Sequence, residues 1–136
     1  MKSLYLCDFN DSFTYNIFST LKEYYPKVDV QVIPEEKLDG VFQVIINENE
    51  SCGIILGPGP GHPFKYEYLF NSLQILFAKP NVFVMGICLG HQLYWLLNGF
   101  SVEHCQRPSH GQIVSYNLSQ SVMSTLNLPQ KIEVQR

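Results

Sequence analysis

The order of apolar segments predicts an α/β fold, a mostly parallel sheet with helices on both faces. Short β-favouring runs alternate with segments whose apolar residues recur at helical spacing. Two glycine-containing stretches, GPGPGHP (57–63) and GICLGH (86–91), each follow an apolar run directly. Ligands of open parallel sheets gather at that place, the carboxyl ends of the strands.

SLYLC (3–7) reads as a first strand ended by the polar DFNDS. SFTYNIFSTLKEYY then sets Phe13, Ile17, Leu21 and Tyr24 at helical spacing, with Asp11 or Ser12 placed to cap it and Pro26 to close it. VDVQVI (28–33) alternates as a second strand. VFQVIINENE (41–50) has strand propensity, although a short helix would serve the topology equally well. CGIILG (52–57) is a compact apolar strand entering the Gly/Pro loop. YEYLFNSLQILFA (66–78) puts Leu69, Phe70, Leu73, Leu76 and Phe77 on one helical face, and Pro80 ends it. NVFVMGI (81–87) reads as another buried strand. GHQLYWLLNG is a helix with Gly99 as its stop signal. SVEHC, GQIVSYNL and KIEVQR alternate and read as antiparallel strands.

The 136 residues suffice for one domain with its own core, so residues 1–136 are expected to form a single domain. Apolar residues make up 46% and charged residues 15%, an ordered rather than a disordered composition. A net charge of −3 with scattered basic residues gives no electrostatic footprint for nucleic acid. No run approaches the roughly 20 apolar residues that span a bilayer. The N-terminal run is stopped by Asp8, so no secretory signal is expected, and no membrane partner. Cys7, Cys52, Cys88 and Cys105 form no CxxC pair, which points to free thiols in a cytoplasmic protein.

GICLG has the form of a nucleophile elbow, a strand, a sharp turn and a helix with a nucleophile between small residues. Gly86 and Gly90 would leave room for a strained backbone and close helix–strand contact. A helix starting at Cys88 would aim its positive end at the sulfur. The Leu89 N–H would lie where an oxyanion forms after attack. The competing reading is a buried structural thiol, the usual state of a free cysteine. Cys7, Cys52 and Cys105 are assigned to that class. GPGPGHP is a rigid turn with accessible backbone amides, and without a GK[ST] signature it is no P-loop. His91 is expected to pack within its helix rather than act as a base. His110 lies in a loop and could line a site. His62 and His104 with Cys105 have no zinc-ligand spacing, so no metal is expected. Asp8 and Asp11 are explained by turn and cap formation.

DFNDSFTYN (8–16), GIILGPGPGHP (53–63) and GICLGHQ (86–92) occur in the order and spacing of class I glutamine amidotransferases. With DSFTYN at its opening, the chain resembles the glutaminase component of anthranilate synthase and aminodeoxychorismate synthase. HG (110–111) matches a loop of the same subgroup. The resemblance implies a flavodoxin-like, doubly wound, mostly parallel sheet with additional antiparallel strands. It implies Cys88 as the nucleophile that forms a γ-glutamyl thioester. Leu89 and Gly59 N–H groups would hold the oxyanion, Gly59, Pro60 and Gly61 would line the glutamine pocket, and Gln92 would bind substrate. Water would release glutamate, and ammonia would pass to a chorismate-using synthase subunit, the expected protein partner. The roles implied are tryptophan or folate biosynthesis, between which the chain itself does not choose. No cofactor is expected in this subunit. Two positions depart from the family pattern, Gly57 for a common serine and Phe9 for a more usual asparagine.

A departing ammonia needs a proton donor. The resemblance implies a histidine oriented by a glutamate in a late HPE motif, and HPE does not occur in these 136 residues. The domain is therefore expected to be C-terminally incomplete, with His110 matching the family's non-catalytic loop histidine. Three arrangements fit: a fragment of a longer glutaminase, a shortened non-catalytic module that binds a synthase, or a base supplied by another chain. Another cysteine hydrolase on a similar sheet is the alternative enzyme class. Loss of the base alone would lower turnover about 10²–10⁴-fold.

Overall fold

In the computed structural model, which describes residues 3–104 and 111–135 apart from the side chains of 126 and 135, four parallel strands form one sheet. They are β1 (Ser3–Asp8), β2 (Asp29–Pro34), β3 (Cys52–Leu56) and β4 (Val82–Gly86). The connecting helices are α1 (Thr14–Tyr24), α2 (Leu38–Asn47) and α3 (Phe70–Ala78), and α4 (Leu89–Leu97) follows β4. The strand order is β2-β1-β3-β4. Parallel neighbours require crossovers, and right-handed crossovers running in opposite directions from β1 put helices on opposite faces. The expected doubly wound α/β class is therefore found.

Strand alternation separates two cores. Cys7, Ile33, Cys52, Ile54 and Leu56 point to the face carrying α2, α3 and α4, and pack with Phe42, Leu73, Leu76 and Leu93. Leu4, Leu6, Val30 and Ile55 point to the other face, against Ile17, Phe18 and Leu21 of α1.

Several elements differ from expectation. Residues 41–47, ambiguous by propensity, belong to α2, because Leu38, Phe42 and Ile45 make one buried helical stripe. The helix expected from residue 66 begins as a 3-10 segment, Pro63–Leu69, kinked at Tyr66 (φ −107°, ψ 23°) before α3. The buried stripe of α1 is Thr14, Ile17, Phe18 and Leu21, while Phe13 and Tyr24 are exposed. Thr14 Oγ1 donates to Asp8 Oδ1 at 2.8 Å, which fixes the first turn and rotates the stripe. No side chain caps α1; Asp11 Oδ1 instead accepts from the Phe13 N–H at 2.9 Å within the preceding turn. Among the described residues, strand β4 is an edge strand rather than a buried one, with Phe83 and Met85 exposed on the α1 face.

The chain divides into two compact units, Met1–Val102 and Glu103–Arg136. In the second, β5 (Ile113–Asn117) and β6 (Lys131–Gln135) pair antiparallel as expected. The helix α5 between them (Gln120–Leu126) was not expected. Its signals were Ser119, whose hydroxyl accepts from the Val122 N–H, and Asn127, left-handed at the C-terminal end. Residues 101–104 form no strand, and Cys105 lies outside the described residues.

Candidate active site

Two loops leave the carboxyl ends of the adjacent strands β3 and β4 and meet over the face that carries α4. At the second, Cys88 has φ +52° and ψ −107°, a conformation an L-residue rarely adopts. Such a position costs about 1–3 kcal/mol and persists only where its surroundings hold it. Here Ile87 N–H donates to the Leu56 carbonyl at 2.9 Å, and Gly90 N–H donates to those of Ile87 and Gly57 at 3.0 and 3.2 Å. Close packing leaves no alternative to glycine on either side. A Cβ on Gly86 would lie 2.5 Å from the Gly90 backbone, and one on Gly90 would lie 2.1 Å from the Leu56 carbonyl oxygen. The far end of α4 is equally fixed. Gly99 (φ +87°) N–H donates to Leu96 O and Phe100 N–H to Trp95 O, a Schellman motif with Trp95 and Phe100 rings 4.6 Å apart.

The cysteines separate by environment. Cys88 is exposed at the start of α4, whereas Cys7 and Cys52 are buried in β1 and β3. Burial pushes the Cys7 thiol far above its ordinary range. Burial also raises Cys52, opposed by Lys79 and reinforced by Glu48. Both belong to the core, as expected.

The glycine-rich loop is held at several points. Gly57 N–H donates to the Cys7 carbonyl at 3.2 Å, and a Cβ on Gly57 would lie 2.4 Å from that oxygen. This backbone therefore has no room for the serine common at that position. A Cβ on Gly59 would meet Phe9 Cβ at 2.5 Å and Leu89 Cδ2 at 2.6 Å, so Gly59 sits directly against the residue following Cys88. Phe9 is fully buried, edge-on to the Tyr66 ring with centroids 4.8 Å apart. Tyr66 OH donates to the Pro60 carbonyl at 3.2 Å. His62 Nδ1 accepts from the Phe64 N–H, which leaves Nε2 to donate to the Val102 carbonyl at 3.2 Å. Among the described residues, no acceptor engages the N–H of Gly59, Gly61 or Leu89. Gly59, Leu89 and Cys88 are thus brought together, with Pro60 and Gly61 following Gly59 on the exposed rim.

Gln92 is half-buried one helical turn after Cys88, and its N–H donates to the Cys88 carbonyl at 3.0 Å. The His91 ring packs edge-on to Trp95 at 5.9 Å, as expected for a histidine engaged within its helix. Asp8 Oδ1 accepts from Asn10 N–H, Asp11 N–H and Thr14 Oγ1, the turn-forming role expected of it. His104 is exposed, and His110 lies outside the described residues. Among the described residues no three His, Cys, Asp or Glu side chains cluster to hold a metal. A cavity of about 410 Å³ lined by Asn10, Glu35, Glu36, Asp39 and Tyr68 was not read from the sequence. Tyr66 was also missed. Its signal was an aromatic outside the stripe of residues 69, 70, 73, 76 and 77.

An exposed thiol on a strained elbow can attack a carbonyl carbon, and the Leu89 and Gly59 N–H groups, without an acceptor among the described residues, are donors of the kind that stabilise an oxyanion. The family model described as "Glutamine amidotransferase class-I" matches residues 5–136. An aminodeoxychorismate synthase from Streptomyces pristinaespiralis is 33% identical over 107 residues, 79% of this chain and 14% of that protein. Anthranilate synthase component 2 from Thermococcus kodakarensis is 34% identical over 103 residues, 75% of this chain and 48% of that protein. The chain thus spans half or less of these relatives. A crystal structure from Thermoplasma acidophilum, described as a GMP synthase protein, superposes on 99% of this chain and 63% of its own. Its TM-score is 0.67 at 24% identity, a likeness of fold alone. The elbow, the glycine-rich loop and the family match agree, and the chain belongs to the class I glutamine amidotransferases.

Proposed function

We propose that this chain is the glutaminase part of a chorismate-using synthase, cytoplasmic and without a cofactor of its own. The observation that carries the reading is the strained, exposed Cys88 followed by Leu89, which packs on Gly59, with the N–H groups of Gly59 and Leu89 unengaged among the described residues. The Cys88 sulfur attacks the side-chain amide carbon of glutamine, and the carbonyl oxygen becomes an oxyanion received by the Gly59 and Leu89 N–H groups. As the tetrahedral adduct collapses, the C–N bond breaks and the nitrogen leaves as ammonia after taking a proton. Water then cleaves the thioester, releasing glutamate and the thiol. Gly59, Pro60, Gly61 and Gln92 line the glutamine pocket. Residues 1–136 act as one amidotransferase domain, a reading supported by a family match that runs across both compact units.

No described histidine is assigned to protonate the leaving nitrogen. His62 is engaged by Phe64 and Val102, and His91 packs on Trp95. The names of the relatives support a synthase as the partner subunit, for either anthranilate or aminodeoxychorismate. With that partner present, Cys88→Ser is expected to abolish glutamate release and leave synthase turnover on supplied ammonia intact. Unchanged glutamate release in that variant overturns the assignment. No glutamate release from the unaltered chain with any such partner favours the second reading, a non-catalytic module that binds the synthase.

A further inference from the structure

The stretch Pro58-Gly59-Pro60-Gly61 contains only two backbone N–H groups, because proline has none. Any oxyanion or amide oxygen bound by this stretch must be bound through Gly59 or Gly61. Their direction is therefore the functional variable of the loop, and two buried aromatic residues set it. Phe9 backs Gly59 so closely that no Cβ fits between them. The Tyr66 hydroxyl takes the Pro60 carbonyl from the protein side at 3.2 Å. The Pro60–Gly61 peptide is trans and planar, so its carbonyl and N–H point in opposite directions. Holding the carbonyl inward turns the Gly61 N–H outward.

We propose that Tyr66 is a positioning residue of the glutamine site, its hydroxyl orienting the Pro60–Gly61 peptide and its ring bracing Phe9 behind Gly59. The proposal rests on the glutaminase reading of Cys88. Tyr66 has the features the role needs. Its side chain is buried, its ring meets Phe9 edge-on at 4.8 Å, and its hydroxyl reaches the loop from a residue whose backbone departs from helical dihedrals. Burial raises its phenol, which keeps the donor proton in place. Position 9, where the family more usually has asparagine, here carries the phenylalanine that completes the pair.

The test uses the full chain and a glutamine analogue in which a chloromethyl ketone replaces the side-chain amide. The Cys88 sulfur adds to the ketone carbon and gives an oxyanion; the sulfur then bonds the methylene carbon as chloride leaves, the first S–C bond breaks and the carbonyl re-forms, with no ammonia to protonate. Labelling of Cys88 in the unaltered chain, slowed by glutamine, establishes the glutamine site independently of Tyr66. Absence of that protection overturns the glutaminase reading, and the proposal with it. Tyr66→Phe keeps the ring and removes the hydroxyl, which frees the Pro60–Gly61 peptide and, through the rigid Pro60, loosens the Gly59 N–H that receives the oxyanion. The limiting labelling rate is expected to fall about 10–100-fold while the half-saturating concentration stays within about twofold. Iodoacetamide alkylation of Cys88, which forms no oxyanion, should keep its rate, and Cys7 should stay unlabelled. An unchanged limiting rate, an equal fall with iodoacetamide, or newly labelled Cys7 each overturns the proposal.

Discussion

The two faces of the parallel sheet are built very differently. One carries α2, α3 and α4 over a continuous buried layer that includes Phe9, Phe42, Tyr66, Leu73 and Leu93. Among the described residues of the first unit, the other carries only α1, over Leu4, Leu6, Val30 and Ile55. Phe83 remains 63% and Met85 47% exposed, beside an apolar groove of about 300 Å³ lined by residues including Ile17, Leu21, Ile55 and Ile87. Both loops of the candidate site belong to the heavily packed face. A strained Cys88 and the glycine-rich loop hold their shape because α4 lies against β3 at backbone contact. This small sheet puts its rigidity beneath the chemistry.

Thiol reactivity gives the widest separation. Cys88 should be alkylated in the native chain about 10³-fold faster than Cys7 or Cys52, which must wait for opening of the packed face. Peptide mass mapping of a time course reads this, and comparable rates would mean that the packed face opens freely. The same burial has a pH consequence. Cys7 and Cys52 are raised in the folded state, so their contribution is fully present below the ordinary thiol range. It is lost as pH climbs through that range toward the raised folded values, because only the unfolded chain then releases the protons. The urea midpoint should fall from pH 8 to pH 10.

Next in size, Phe42→Ala on the packed face should cost about 3–5 kcal/mol by urea denaturation. A loss under about 1 kcal/mol would show that α2 contributes little to the layer. Gly90→Ala puts a methyl against the Leu56 carbonyl and should cost about 1–3 kcal/mol as strand and helix are pushed apart. It should also slow alkylation of Cys88 by the chloroketone analogue, since the elbow moves with α4. The smallest effect belongs to the thin face. Met85→Ser should stay within about 0.5 kcal/mol of the unaltered chain, and a larger loss would mean that the side chain is buried in solution.

Local chemistry made the elbow and glycine loop readable. Gly86, Cys88 and Gly90 announce a strained turn with close helix–strand approach; the strain is found at Cys88 (φ +52°) and the close approach at Gly86 and Gly90. Gly99 announced the end of α4, where it forms the Schellman motif. The first turn of α1 was misread because a side chain six residues away, Asp8, fixes Thr14 as its start. Residues 41–47 favour strand alone, and only burial of Leu38, Phe42 and Ile45 against the sheet makes them helical. The edge position of β4 was invisible for the same reason, since apolar content does not state how many neighbours a strand has.

The alternation of strands and helices, the two glycine-rich loops at strand ends and the cysteine at the elbow follow from the order of residues. Each depends on hydrophobic period or on backbone conformations open mainly to glycine. Long-range packing alone settled which face is thick, which thiols are buried, and that Phe9 and Tyr66 stand behind Gly59 and Pro60. Those are contacts between residues far apart in the chain, and local propensity carries no record of them.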